Sequence, residues 1–249
     1  MVLIRMKLSS NRAHGNVLIV TDRASVWSGV EATLRGCGFS IGRASTREEA
    51  FMRLRRNDYD AVLLDLGLPG MSGVRACIHV RTEFPSVWII AVTTRDSTED
   101  RVNALNAGAD HCITIPFHLR EFAARIRAIV RRLRPTANTI KSPLVVGNFR
   151  LDIARHVVMR DGREIRLTTT EFNLLYQLMA SAGQPIPHSA LLDVIWGDHT
   201  AKERGYLRIY ISQLRKKLEV EPTQPCFLLT YMNVGYIFAT PSGATEPIH

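Results

Sequence analysis

An α/β domain built on a parallel sheet, followed by a smaller helical domain closed by a hairpin, is the architecture predicted by the 249-residue sequence. Two patterns predict it. From Asn16 to Arg132, short apolar runs alternate five times with amphipathic segments, and strand–helix alternation of this kind builds a parallel sheet with helices on both faces. From Leu144 onward the pattern changes to short alternating segments, three helical periods and a terminal pair of strands around a turn.

The elements follow in order. Residues 1–15 (MVLIRMKLSSNRAHG) are basic, with an apolar part too short for a secretory h-region, and are expected to form a disordered tail. The expected strands of the first domain, residues 16–132, are Val17–Val20, Phe39–Ile41, Ala61–Leu64, Val87–Val92 and Cys112–Ile115. Helical patterns lie near 24–35, 46–56, 73–83, 97–107 and 118–132. The right-handed crossover rule leaves few topologies, and a flavodoxin-like order with its crevice at the strand C-termini is expected. Residues 133–143, broken by Pro135, Thr136, Asn138 and Pro143, read as a linker.

The second domain, residues 144–240, opens with Leu144–Arg150, His156–Met159 and Glu164–Leu167, with a hairpin signal at Asp161-Gly162. Helices are expected over Thr169–Ala182, Ser189–Trp196 and Lys202–Glu219, and a hairpin over Phe227–Ala239. Three helices capped by a terminal hairpin form a winged helix-turn-helix; residues 241–249 are a tail.

The net charge of +9 and pI near 9.8 favour a polyanionic partner. The excess is uneven: residues 1–134 carry 20 Lys and Arg against 13 Asp and Glu, and residues 135–249 carry 12 against 10. Within the second half, Lys202 to Lys217 holds six basic residues and only Glu203 as an acid. The longest apolar runs fall far short of the ~18 residues of a membrane span. Cys37, Cys77, Cys112 and Cys226 form no Cys-x-x-Cys pair, which favours reduced thiols in a cytoplasmic protein over a zinc site or disulfides.

The segment Leu63-Leu64-Asp65-Leu66-Gly67-Leu68-Pro69-Gly70-Met71-Ser72-Gly73 delivers one carboxylate to the C-terminal end of a buried strand, before a Gly- and Pro-rich loop. In an open parallel sheet that edge is where ligands bind. The other expected strand ends bring Thr21 and Asp22, Thr93 and Thr94, and Ile115-Pro116 to the same crevice. Enzyme classes fit poorly. Asp65-Leu66-Gly67 lacks the second Asp of an Asp-nucleophile phosphatase, and Thr21-Asp22-Arg23-Ala24 lacks the glycines of a dinucleotide turn.

On these residues the first domain resembles a response-regulator receiver. With Tyr206-Leu207-Arg208-Ile209-Tyr210-Ile211-Ser212-Gln213-Leu214-Arg215-Lys216-Lys217-Leu218-Glu219 in the second domain, the whole chain resembles the OmpR/PhoB family of transcription factors, and within it the KdpE branch. The resemblance implies that Asp65 is the phosphoacceptor and Thr93 the switch hydroxyl. It implies that Asp22, Asp65 and the Gly67 carbonyl hold Mg²⁺. It also implies double-stranded DNA, a sensor histidine kinase and RNA polymerase as partners, with a homodimer on DNA. Arg101 and Glu121 match one salt bridge of the family's dimer face; Arg125 and Arg127 match the basic halves of two others, whose acidic positions hold His111 and Asn106. Trp196-Gly197 resembles the segment that touches polymerase.

Two departures carry physical weight. Thr21 stands where the first acid of the metal site belongs, and Ile115 where a Lys pairs with the phosphoryl group. A phosphoryl group brings about −1.5 to −2 charges, and the charge-assisted bond that Ile115 cannot make is worth roughly 1.5–3 kcal/mol. The Mg²⁺ site is thereby weakened. The usual three acids and one Lys sum to −2, as do Asp22 and Asp65 alone. Two readings stay open at this point: a phosphorylation-independent receiver, and a fully phosphorylation-switched one.

Along the last helix Leu207, Ile211, Leu214 and Leu218 form one buried stripe. Arg208, Ser212 and Gln213 are base-reading candidates, Arg215 and Lys216 phosphate anchors, and Ile209 an outward side chain suited to a thymine methyl. Met232 stands in the wing where family members place Arg, and Asn233 where they place Gly. A protein-interaction module without DNA binding is the alternative from another class; the salt dependence of duplex binding separates the two.

Overall fold

The computed structural model describes residues 15–69, 72–95, 97–116, 118–119, 122–123, 126, 142–196 and 204–240. The receiver sheet consists of β1 (Asn16–Val20), β2 (Ser40–Ala44), β3 (Ala61–Asp65), β4 (Trp88–Thr93) and β5 (His111–Thr114), all parallel, in the order β2-β1-β3-β4-β5. Its helices are α1 (Ala24–Gly36), α2 (Arg47–Arg56), α3 (Gly73–Glu83) and α4 (Thr98–Asn106). β3 and β4 are buried at every position, as central strands covered on both faces must be.

Alternation along each strand divides the core into two layers. Leu18, Val20, Val62, Leu64, Ile89 and Ala91 pack with Phe51 and Leu54 of α2, Cys77 and Val80 of α3 and Ala104 of α4. Val17, Ile19, Leu63, Ile90 and Val92 pack with Trp27, Val30 and Leu34 of α1 and with Phe122 and Ile126. The N-termini of α2, α3 and α4 are capped by the side chains of Thr46, Ser72 and Ser97, each accepting from a backbone N–H three residues on. The five-stranded parallel order is the flavodoxin-like one expected. β2 begins one residue later and runs three residues further than expected, because pairing with β1 from Ser40 to Ala44 carries Gly42 and Arg43 into the strand. Most of the helix expected over 118–132, the linker 133–143 and both tails lie outside the described residues; Leu119, Phe122, Ala123 and Ile126 are helical.

The second domain begins with an antiparallel sheet of β6 (Leu144–Val146), β7 (Phe149–Asp152), β8 (Val157–Arg160) and β9 (Arg163–Ile165). The segment Leu144–Arg150 is therefore two strands and not one. It turns at Gly147, whose φ of 57° is the left-handed conformation glycine permits. The Asp161-Gly162 turn has φ of 50° and 76°, the two positive values a type I′ hairpin demands. Next come α5 (Thr169–Ala180), β10 (Ile186–Pro187), α6 (His188–Trp196), α7 (Arg204–Leu218) and the hairpin β11 (Leu228–Tyr231) and β12 (Gly235–Phe238), with β10 paired to β12. Thr168 and Glu171 close a reciprocal capping box at the start of α5. Among the described residues no helix is long and apolar enough to cross a membrane.

Two expectations follow from this packing. A Cβ at Gly235 would lie 1.8 Å from the Ile186 carbonyl oxygen, which belongs to the paired strand. Gly235→Ala should lower stability by about 1–3 kcal/mol in urea unfolding, the usual cost of overpacking; an unchanged midpoint would contradict the strand placement. Burial pushes the Cys77 and Cys112 thiols up to about 12, so both stay protonated and inert at neutral pH. Iodoacetamide should label the exposed Cys226 in the native chain and leave these two unmodified until denaturant is added. Native labelling of Cys77 or Cys112 at the rate of Cys226, read by mass spectrometry, would refute this.

Candidate phosphoacceptor pocket and nucleic-acid interface

β3 ends at Asp65, whose carboxylate is 1% exposed at the C-terminal edge of the sheet. A charge so placed needs partners, because desolvation of an unpaired carboxylate is costly. It has several. The Arg23 guanidinium forks onto it, with Nη2 2.7 Å from both Oδ1 and Oδ2 and Nε 3.1 Å from Oδ2. Thr21 Oγ1 donates to Oδ2 at 2.9 Å, and the Gly67 backbone N–H donates to Oδ1 at 2.9 Å. Thr21 also accepts from the Arg23 backbone N–H at 3.1 Å, which shapes the β1–α1 turn that aims Arg23 inward. A Cβ at Gly67 would lie 3.2 Å from both Arg23 Nη2 and Asp65 Oδ1, so the missing side chain there leaves room for the guanidinium. Hydrogen bonding to Asp65 pushes Arg23 still further above its ordinary value against the opposing effect of its burial.

The residues around Asp65 sit as follows. Asp22 is exposed and close enough to contribute to the field at Arg23. Counted with Arg23, the three side chains carry −1 and not the −2 expected from Asp22 and Asp65 alone. The Thr93 hydroxyl accepts from the Arg95 backbone N–H at 3.0 Å. Ile115 packs against the apolar layer around Val17, Ile19 and Trp27. A Mg²⁺ ion requires oxygen ligands with free lone pairs. Both Asp65 oxygens are already covered by Arg23, Thr21 and Gly67 donors, and a cation is already in place. The pocket as built does not fit Mg²⁺.

Arg23 was not legible from the motif, because it occupies neither the acid nor the Lys position of a receiver. The available signal was its place: a cationic side chain directly after Asp22, at the mouth of a crevice lined by acids.

In the second domain α7 has three faces. Leu207, Ile211, Leu214 and Leu218 are buried as the periodicity predicts. Arg208, Ser212 and Lys216 form an exposed stripe on successive turns. The third face is covered. Tyr210 is buried and its hydroxyl donates to the Asp110 carbonyl at 2.7 Å; Gln213 Nε2 donates to Asn106 Oδ1 at 3.0 Å. Ile209, expected to point outward, is half-buried against the apolar cluster that takes in Leu105 from α4. Arg215, expected at a phosphate, instead donates to the Leu228 carbonyl at 2.8 and 2.9 Å and to Thr230 Oγ1 at 2.9 Å, tying α7 to the wing. The wing tip exposes Tyr231, Met232 and Val234, with Asn233 in the left-handed region at φ 59°.

Of the positions expected at a dimer face, His111, Asn106 and Arg101 are described. His111 is buried and Asn106 is bonded to Gln213, because α7 lies over this end of α4. Arg101 donates to Thr114 Oγ1 at 3.2 Å, bracing α4 against β5. Glu121, Arg125, Arg127 and Gly197 lie outside the described residues.

Comparison with known proteins agrees with this architecture. Residues 17–127 match the response regulator receiver domain, and residues 162–238 match the C-terminal domain of transcriptional regulatory proteins. The transcriptional regulatory protein KdpE of Mycobacterium tuberculosis is 37% identical, over 89% of this chain and 98% of its own. The sensory transduction protein RegX3 of Mycolicibacterium smegmatis is 38% identical over 89% and 97%, and the KDP operon regulator KdpE of Escherichia coli 34% over 90% and 98%. Among solved structures, a RitR mutant at 24% identity shares the fold with a TM-score of 0.73, covering 90% of this chain and 98% of its own. The chain belongs to the OmpR/PhoB type of two-component response regulators, with a receiver joined to a DNA-binding C-terminal domain.

Proposed function

We propose that this protein is a sequence-specific DNA-binding transcriptional regulator whose receiver works without phosphorylation of Asp65. The Arg23 fork on Asp65 is the observation that carries this reading. Phosphoryl transfer to a carboxylate needs an oxygen free to attack and a cation free to neutralise the incoming charge. Here the attacking group is saturated with donors, and the neighbouring cation is already paired with that carboxylate. Two further groups support it. Ile115 supplies no cation for a phosphoryl oxygen, and the Thr93 hydroxyl is engaged by Arg95. A sensor histidine kinase is then not required for DNA binding. Polymerase contact and pairing of two copies on DNA rest on the family resemblance.

DNA binding rests on α7. Arg208, Ser212 and Lys216 offer donors to base edges and phosphates from one exposed stripe, suited to the major groove. Gln213 joins them when its bond to Asn106 is released, and Arg215 acts as a positioning residue that sets the angle of the wing.

A phosphorylation switch couples its two sites by about 5–150-fold. The expectation here is that beryllofluoride with Mg²⁺, or the Asp65→Ala substitution, changes the affinity for a duplex selected from a random pool by less than about threefold. A mimic-dependent gain above about tenfold that disappears in Asp65→Ala would overturn the reading.

The ion pair should also show an asymmetric stability signature. Arg23→Ala strands a buried carboxylate, whereas Asp65→Ala leaves a guanidinium that is 35% exposed and can hydrate. With that exposure discounted, Arg23→Ala should cost about 1–3 kcal/mol in urea unfolding with chelator present, and Asp65→Ala less. The reverse order would contradict the pairing.

A further inference from the structure

Three large apolar side chains stand exposed at the tip of the terminal hairpin. Tyr231 is 45% exposed, Met232 80% and Val234 38%. Single apolar side chains are normal on a surface, whereas a cluster of them marks a contact. The turn that carries them is held firmly. The Val234 N–H donates to the Tyr231 carbonyl at 3.1 Å, and Asn233 takes the positive φ that such a turn needs at its third position. Below the tip, β12 pairs with β10 as well as β11, and the Val234 carbonyl accepts from the His188 N–H at 3.0 Å, at the start of α6. The Arg215 fork on Leu228 and Thr230 ties the same hairpin to α7. Braced by β10, α6 and α7, the turn projects Met232 away from the domain.

The tip adjoins the surface of α7 proposed to meet DNA. Burial raises the Tyr236 phenol on β12, and the charges of Arg215 and of Arg208, in the exposed stripe, both oppose that effect. Tyr236 pairs with Thr230 across the hairpin, directly below the apolar tip. A duplex lying on Arg208, Ser212 and Lys216 therefore meets the hairpin as well. Met232 and Val234 carry no donor for a base edge and no charge for a phosphate, so they add neither hydrogen-bond readout nor counterion release. Their chemistry suits the faces of bases. The minor groove is about 6 Å wide, which admits an unbranched, flexible methionine. Apolar side chains that enter it open a base step and kink the duplex by about 20–90°.

We propose that Met232 is such a wedge: in the DNA complex it enters the minor groove beside the α7 site, partly unstacks one base step and bends the duplex. This rests on the DNA-binding reading of α7. The ligand is then a duplex with an easily opened pyrimidine–purine step, TA or CA/TG, at a fixed distance from the bases that α7 reads. Sequence at that step is selected through its stiffness, with no hydrogen bond to it.

The full chain is tested on a duplex that it selects from a random pool. Bending is read from energy transfer between dyes at the duplex ends, unstacking from a fluorescent purine analogue at the step, and affinity from anisotropy. The parent should bend the duplex by more than about 20° and brighten the analogue. Met232→Ser, at an exposed position, should keep the melting temperature, abolish both signals and weaken binding about tenfold, a loss of the size that one mismatched base pair causes. Met232→Leu, still apolar, should retain bend, brightening and affinity. Replacing the step with a stiff A-tract should weaken the parent about tenfold and Met232→Ser less than about threefold. A duplex left straight by the parent, or an unchanged bend and affinity in Met232→Ser, would refute the wedge. Loss of self-association in Met232→Ser, read by sedimentation with bend and affinity unchanged, assigns the tip to a second copy and refutes it too. If no duplex is retained at low salt, the DNA-binding reading fails, and the wedge fails with it. If Arg208→Ala weakens binding while Met232→Ser changes neither bend nor affinity, DNA binding stands and the wedge alone is refuted.

Discussion

A carboxylate buried at the end of a central strand must be neutralised, and the way this chain neutralises Asp65 determines the character of its receiver. The sheet fixes the position: β3 is covered on both faces, so Asp65 opens only toward the crevice at the strand C-termini. The cation there is Arg23, from the β1–α1 turn, with Thr21 and Gly67 completing the donor shell. A guanidinium matches a carboxylate through two parallel bonds and never deprotonates in the working pH range. A pair of this kind is hard to open, because removing either charge from it leaves the other to be solvated. The departures at Thr21 and Ile115 thus read as one change. The hydroxyl at 21 bridges the Arg23 backbone and Asp65, and the apolar side chain at 115 joins the core where no second cation is needed.

The second constraint is that α7 carries more chemistry than one face can hold. One stripe builds the core of its own domain, one is exposed and basic, and the third is apolar and amide-bearing and lies against α4. That third stripe explains why His111 and Asn106 are poor candidates for a free dimer surface, since the receiver already has an occupant there. The two constraints meet in the sheet. β4 ends at Thr93, and Asp110 stands directly before β5 with its backbone N–H donated to the Ile89 carbonyl of β4, so the pocket and the covered face share a rigid frame.

Much of this was legible in the sequence, and the part that was not has a physical reason. Strand order followed from alternation and crossover handedness, and the Asp161-Gly162 hairpin from the demand of its turn for two positive φ values. Gly147 was harder to read, because a lone glycine inside an alternating run marks a turn or a bulge equally well. The resemblance singled out Asp22, Asp65, Thr93 and Ile115 at the strand ends, and of these Asp65 is the one around which the described contacts gather. Arg23 was not legible, because its role depends on a contact across 42 residues of sequence and on the missing side chain at Gly67. The Gln213–Asn106 contact spans 107 residues and joins two domains; helical periodicity reports which face is apolar but not which partner covers it. Arg215 reads as a phosphate anchor from charge alone, and only the position of β11 reveals its carbonyl partner.

On the proposed reading, Arg23 occupies the place of a metal ion at Asp65 and does not yield it. Side-chain NMR of the Arg23 guanidinium in the intact chain, during titration with Mg²⁺, tests this most directly. Protected Nε–H and Nη–H signals whose shifts stay constant up to millimolar Mg²⁺ are expected. Saturable shifts or loss of protection with Mg²⁺, absent in Asp65→Ala, would contradict it.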